Sequence, residues 1–353
     1  MNAPRLEIDL GKIHHNARTL VELLSPKGIT VTGVTKAFLG LPQIASTLLR
    51  AGIRTLGDSR IENIQTMRHA QLDASMELIR SPMLSQIDQV VAHADISLNS
   101  ELDVIRQLSV ASQKIKCTHG VVLMVELGDL REGIMPSDLE NVVREIQHLP
   151  NIEIIGIGTN LACRSGVSPD AKNMSELSAL ADTIDASCGT NFRIVSGGNS
   201  GNLQWALSTT DTGRINDLRL GESILLGCET LHRQPIEGLY TDAITLVAEV
   251  IESKLKPAQA WGTIAQNAFG ESLAETKAGN ISQSILAIGH QDIDPAGLST
   301  TANIKILGAS SDHLIVVSDD CLPIGSEIRF QLNYSALVRA MTSPFVIKVI
   351  STP

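Results

Sequence analysis

A lysine closes an apolar strand near the start of this chain, and a glycine-rich run closes another far downstream. The first stretch, VTGVTKAFLG at 31–40, carries the β-branched Val31, Val34 and Thr35 and ends at Gly40, the composition of a short buried strand entering a turn. Lys36 stands at its exit. A lysine there either carries its ammonium past the strand end to water or, partly desolvated, loses its proton more readily and condenses with a carbonyl as a Schiff base. The second stretch, VSGGNSGN at 195–202, precedes the helical segment LQWAL. It reads either as an ordinary glycine-rich turn or as an anion cup. In the cup, glycines such as Gly198 let backbone N–H groups face an anion while Asn199 and Ser200 add side-chain hydrogen bonds. A third stretch, NDLRLGES at 216–223, brings Arg219 and Gly221 to the end of the next strand, where the Gly221 backbone can approach the same anion.

The surrounding elements decide between these readings. Strand-like runs lie near 30–35, 53–57, 76–79, 95–98, 119–125, 153–157, 192–195 and 215–219, with helical patterns between most of them. Such alternation implies parallel strands, and roughly eight units in about 230 residues suit a (β/α)8 barrel, although an open doubly wound sheet alternates in the same way. In a barrel, strand carboxyl ends line the active site and the loops after strands seven and eight frequently hold phosphate. After about residue 235 the pattern turns to strands with short turns: YTDAITLVAEVIES, ISQSILAIG, TANIKILG, DHLIVVS and EIRFQLN. The expectation is a barrel over 1–235 followed by a mostly-β domain over 236–353.

Composition narrows the partners. The 353 residues are 43% hydrophobic and 19% charged, with a net charge of −10. No basic stripe marks a nucleic-acid surface. No window approaches about 18 uninterrupted apolar residues, and the N-terminal MNAPRLEIDLG lacks an apolar signal core. Five scattered cysteines without metal-type spacing read as free thiols in a reducing compartment. A cytoplasmic protein without nucleic-acid or membrane partners is expected.

A lysine on the first barrel strand, opposite a phosphate cup, points to pyridoxal 5'-phosphate: the lysine holds its aldehyde and the cup its phosphate. The ordered set of motifs resembles the alanine racemase family, and within it the branch that includes ornithine racemase. PRLEIDLGKIHHNARTL, GVTKAFLG, ELGDLREGI, GIGTNLAC, SGGNSGN, LRLGESILLG, ILAIGHQDIDP and LNYSALVRAMTSPFV carry that resemblance. It implies a Schiff base on Lys36, a supporting arginine at Arg131, and cofactor contacts from Asn160, Gly198, Asn199, Ser200, Gly221, Glu222 and Tyr334. Arg219 then faces the pyridine nitrogen. It implies a homodimer with shared sites, the β domain of one copy completing the site of the other. Two departures stand out. The segment after Lys36 lacks the family's tyrosine, and the family's Gly-Tyr-Ala-Asp stretch is here Gly289-His290-Gln291-Asp292. Tyr240, the other tyrosine, lies in the wrong segment to replace it.

Racemisation removes the Cα proton from one face and returns one to the other. Lys36 would act on one face. His290 holds the matching position for the second base, as a group that can titrate in the right range, and Cys163 is its rival. A basic substrate such as ornithine or lysine needs a carboxylate for its distal ammonium, with Asp58, Glu62, Asp292 and Asp312 as candidates. Two other readings stay open: a D-amino-acid dehydratase or aldolase of the same fold, and a non-catalytic pyridoxal phosphate homeostasis protein. The first usually adds a metal. Asp312, His313 and Cys321 come nearest to such a set, at unconvincing spacing, so no metal is expected.

Overall fold

Eight of the expected strands close on themselves. A computed structural model describes residues 4–266, 279–300 and 303–352. In it, β1 (Arg5–Asp9) leads into α1 (Leu10–Leu24), and then a closed parallel barrel is laid down as β2 (Thr30–Val34), β3 (Thr55–Asp58), β4 (Ser75–Leu78), β5 (Ile96–Asn99), β6 (His119–Met124), β7 (Ile152–Gly158), β8 (Ile194–Gly198) and β9 (Asp217–Leu220). The helices α2 (Pro42–Arg50), α3 (Ile61–His69), α4 (Ile87–His93), α5 (Leu102–Ile115), α6 (Leu139–Ile146), α7 (Ala171–Cys188), α8 (Leu203–Ser208) and α9 (Glu222–Leu226) follow successive strands. Closure comes from β2 pairing with β9, Thr32 opposite Arg219.

Local sequence accounts for these pieces. Strand β6 is buried along its whole length, as a strand covered on both faces must be. Helix α7 buries Met174, Leu177, Ala181 and Ile184, a stripe at helical spacing. A capping box between Asp170 and Asn173 starts it, and Gly189 at φ 67° ends it, satisfying the end groups that a helix leaves open.

The chain divides into two compact units, residues 11–240 and residues up to 10 together with those from 241 onward. In the second unit, β10 (Ile244–Pro257), β11 (Asn280–Leu286), β12 (Leu298–Ser299), β13 (Ile304–Ala309), β14 (Leu314–Ser318) and β15 (Glu327–Leu332) form a sheet of order β12-β15-β10-β11-β14-β13. Helix α10 (Tyr334–Thr342) and β16 (Ile347–Ser351) complete it. The first two residues of the TANIKILG segment lie outside the described residues. Strand β1 joins this unit, antiparallel to β10 and parallel to β16. Leu6, Ile8, Leu246, Ala248, Leu286, Leu314, Val316 and Phe330 are buried here, the alternate positions that face a core in strands of period two. All five cysteines are free thiols. Among the described residues no helix is long and apolar enough to cross a membrane.

Candidate active site at the barrel's carboxyl end

Lys36 begins a short turn that directly follows β2. The turn is pinned from the next strand: Thr35 N donates to Gly57 O at 2.8 Å and Thr35 Oγ1 to Asp58 Oδ2 at 2.6 Å. Asp58 Oδ1 in turn accepts from Arg60 N at 2.9 Å and Asn63 Nδ2 at 3.0 Å. Asp58 is fully buried. Its carboxylate is thus committed to holding the turn and is a poor partner for a distal substrate ammonium. Ala37 and Phe38 are buried behind Lys36, which fixes the turn to the barrel wall.

Water reaches the Lys36 side chain, yet its pKa lies below the ordinary lysine value. The enclosing protein, which disfavours the charged amine, is the largest cause. Cys163 and Asp58 oppose the shift, whereas Arg131 and Arg219 reinforce it. The enclosure, more than the surface the side chain itself exposes, sets the direction, because a charge responds to the low-dielectric mass around it. The result is an amine with a readier supply of its neutral, nucleophilic form.

The glycine run ends β8, whose neighbour β9 pairs in turn with β2, the strand that Lys36 follows. A Cβ on Gly221 would stand 3.0 Å from Val34 Cβ, so the end of β9 and the end of β2 nearly touch. The loops after β8 and β9 are joined by Ser200 Oγ and Ser223 Oγ at 3.0 Å, with Ser223 N donating to Ser200 Oγ at 3.3 Å. Gly198 adopts φ +138°, where a Cβ would collide with Asn202 Oδ1; a side chain there would destroy the loop. Asn199 caps the turn by accepting from Gly201 N at 2.8 Å, and its amide donates to Leu161 O at 2.8 Å. Thr230 Oγ1 lies 3.3 Å from the position of a Cβ on Gly201. It is buried without a hydrogen-bond partner among the described residues. An orphaned hydroxyl at a cup of small residues and hydroxyls is suited to a polar ligand atom.

Arg131 lies in the loop after β6. Its guanidinium donates to Glu132, rests against Cys163 Sγ, and meets the Asn160 amide, whose oxygen can face it. Arg219 is buried on β9; Nη2 donates to Thr159 O at 2.8 Å and Nη1 to Ser196 Oγ. Glu222, at the start of α9, is ion-paired with Arg233, so its side chain is occupied. The structure therefore gathers Lys36, Arg131, Asn160, Cys163, Asn199, Ser200, Arg219 and Gly221 in the barrel unit.

His290 and Tyr334 belong to the second unit. His290 is half-buried in a turn, where its N–H donates to Ser310 O at 2.9 Å. Tyr334 opens α10 behind the Asn333 cap. Asp292 accepts from Ser343 Oγ at 2.6 Å. Tyr240 is exposed in the barrel unit, with Lys12 over its ring. No His, Cys, Asp and Glu group able to hold a metal occurs among the described residues.

Residues that sequence reasoning passed over are Glu77, Asp217, Ser196 and Thr159. A signal for two of them existed: acids inside the short strands SMEL and DLRL are anomalous, since buried acids occur mainly with partners.

Residues 8–227 match the family profile described as alanine racemase, N-terminal domain. A lysine racemase from Thermotoga maritima is 38% identical over 350 residues, covering 98% of this chain and 98% of that protein. An ornithine racemase from Acetoanaerobium sticklandii is 38% identical over 350 residues, covering 98% of this chain and 99% of its own. The fold is shared with an alanine racemase from Streptomyces lavendulae at TM-score 0.77 and 16% identity, covering 99% of this chain and 98% of that one. It is shared equally with a D-threonine aldolase from Filomicrobium marinum, at TM-score 0.77 and 15% identity, covering 99% of this chain and 91% of that one. Folds at such identities carry several chemistries, but the profile and the two full-length relatives agree, and the chain belongs to the alanine racemase family.

Proposed function

We propose that this protein is a pyridoxal-phosphate-dependent amino-acid racemase acting on a basic amino acid such as lysine or ornithine. The observation that carries the reading is the amine of Lys36, lowered in pKa, on a strand end that Gly221 nearly touches, with Ser223 of that same segment joined to Ser200 of the glycine run. The cup fits a phosphate, with Ser200 and the orphaned Thr230 hydroxyl as candidate donors, while Lys36 Nζ is the group to hold the aldehyde carbon. Near-full-length likeness to the lysine and ornithine racemases supports the substrate class.

Bound there, the cofactor would hold the substrate amine and take up the electron pair left when Cα loses its proton. The chain's own residues do the rest. Lys36 moves a proton on one face of Cα. Arg219 presents a charge that it does not give up, so it can donate to the ring nitrogen while leaving that atom unprotonated, which limits proton return to the cofactor carbon. Arg131 is held in place by Glu132 and the Asn160 amide. His290 is the proposed acid–base group on the other face, supplied by a second copy in a homodimer, with Tyr334 as a further phosphate contact. Cys163 is the competing candidate, because its sulfur lies against Arg131, near Lys36.

Deuterium exchange at Cα in D2O, with chiral chromatography across L- and D-ornithine, lysine, arginine, alanine and serine, tests the reading. Exchange with inversion, fastest for lysine or ornithine, is expected. Elimination or cleavage products in place of the enantiomer would replace it with a dehydratase or aldolase. Absence of exchange with every amino acid would leave a cofactor carrier. His290→Ala should lower turnover about 10²–10⁴-fold, as loss of a positioned acid–base group does, with cofactor still bound. If Cys163→Ala shows that loss instead, the second base is Cys163. Mixed Lys36→Ala and His290→Ala proteins should regain activity only if sites are shared between copies.

A further inference from the structure

Inside the barrel, Glu77 on β4 and Asp217 and Arg219 on β9 are 4%, 6% and 5% exposed. Asp217 and Arg219 are two residues apart on one strand and so share its inner face. Asp217 Oδ1 accepts from Thr32 Oγ1 at 2.8 Å and Oδ2 from Ser196 Oγ at 2.5 Å. The same Ser196 oxygen accepts from Arg219 Nη1. A hydroxyl therefore links the carboxylate to the guanidinium, while Thr159 O holds the other guanidinium nitrogen. Register brings Glu77 onto the same inner face, since Thr32 pairs with Arg219, Val34 with Gly57, and Gly57 with Glu77; the barrel interior thus contains two carboxyl groups and one permanent cation. A guanidinium keeps its proton, and a buried carboxylate without a balancing charge takes one up instead of staying ionised.

We propose that Glu77 and Asp217 together carry one proton, so that Arg219 is balanced by a single carboxylate, and that Glu77 is thereby a positioning residue for the charge presented at the cofactor's ring nitrogen. The last step rests on the reading of Arg219 given above; the shared proton does not.

The proton resides on Glu77. Asp217 has hydroxyl donors from Thr32 and Ser196 that favour its ionised form. For Glu77, burial pushes the carboxyl up to about 8, Asp217 adds to the shift and Arg219 opposes it. On the flanking strands, β3 presents Gly57 and β5 presents Ile96 in register with Glu77, so the charges acting on it are those of β9. As pH rises past about 8, Glu77 ionises and a second negative charge weakens the field that Arg219 projects. A cofactor held with its ring nitrogen at Arg219 would then be a stronger electron sink, and transamination would gain on racemisation.

Difference infrared spectroscopy in H2O and D2O near pH 6.5 reads the proton directly, with or without cofactor. The wild-type protein should show the carbonyl stretch of a protonated carboxyl group that is missing from Glu77→Gln. It should also be missing from Asp217→Asn, because Glu77 must then ionise to balance Arg219. A band unchanged in Glu77→Gln would overturn the shared proton, as would one retained in a folded Asp217→Asn. If Asp217→Asn does not fold, the first pair decides. Folding equilibria give an independent measure. The raised folded-state value stabilises fully below the unfolded glutamate range and is lost as pH rises toward about 8. Relative to Glu77→Gln, the wild-type folding constant should fall about tenfold per pH unit across that window. Finally, the ratio of transamination to racemisation should climb above pH 8 in the wild type and stay flat in Glu77→Gln. Parallel profiles would overturn the positioning role while leaving the proton count intact, and absence of any racemisation would refute the proposed function alone.

Discussion

Arg219 and Arg5 each act on two carboxyl groups, one arginine in the barrel and one on the sheet of the second unit. Arg5 donates directly to both of its partners, Glu327 Oε1 at 2.6 Å and Glu7 Oε1 at 2.7 Å, and Arg329 adds a second guanidinium on Glu7. Side chains of Glu7 and Glu327 remain 28% and 35% exposed. Glu7 is held below the usual glutamate range, chiefly by Arg329. In the barrel, Ser196 stands between Asp217 and Arg219, all three are buried, and the carboxyl groups are pushed up, chiefly by burial. The same residue types thus titrate in opposite directions. Direct guanidinium contacts with water nearby stabilise the ionised form, whereas enclosure with one cation for two acids stabilises a proton. The sheet cluster ties β1 to β15, and the barrel cluster includes Arg219, whose charge also acts on Lys36.

The contrast can be broken from either side. The largest effect should fall on the amine itself. Lys36→Ala should abolish turnover, and borohydride reduction followed by peptide mapping should find no pyridoxyl group on the variant but one on Lys36 in the wild type. A reduced group on any other lysine would contradict the site. Next, Arg219→Ala removes the cation that acts on two buried acids. Stability should drop by about 3–5 kcal/mol, the cost of leaving a buried charge uncompensated, read as a lower midpoint in urea. By contrast, Arg329→Ala on the exposed sheet face should cost no more than about 1 kcal/mol, since surface pairs contribute little. Equal losses for the two arginines would erase the distinction.

The smallest effect separates the clusters by sign. Glu7 has a lowered folded-state value, so its contribution is present above the ordinary glutamate value of 4.5 and is lost as pH falls below it. Glu7→Gln should therefore flatten the acid limb of stability, while Glu77→Gln acts on the neutral to alkaline side. Denaturation midpoints collected across pH 3–9 for both variants check this. Both variants changing the same limb would refute the comparison.

Much of the architecture was legible in order along the chain. Strand positions followed from β-branched runs between helical patterns, because hydrophobic periodicity is a local property. Lys36, Asn199, Ser200, Gly221 and Arg219 stood out as polar or glycine residues at apolar strand ends. The commitments of the side chains were not legible. Asp58 and Glu222, both considered for ligands, turned out to be engaged by Thr35 and Arg233. Asp217 lay within a quoted motif without its role being visible.

Sequence by itself determined the barrel-type alternation and the later change to β structure, and it raised the expectation of a lysine, a cup and two arginines for one cofactor. Only the tertiary structure decided that β1 pairs with β10 and β16 in the second unit, that β9 closes onto the strand that Lys36 follows, and that Glu77 shares the barrel interior with Asp217 and Arg219. These outcomes depend on which strands become neighbours when the barrel closes, and on fields that act through a buried, low-dielectric interior. Neither is carried by the residues adjacent in the chain.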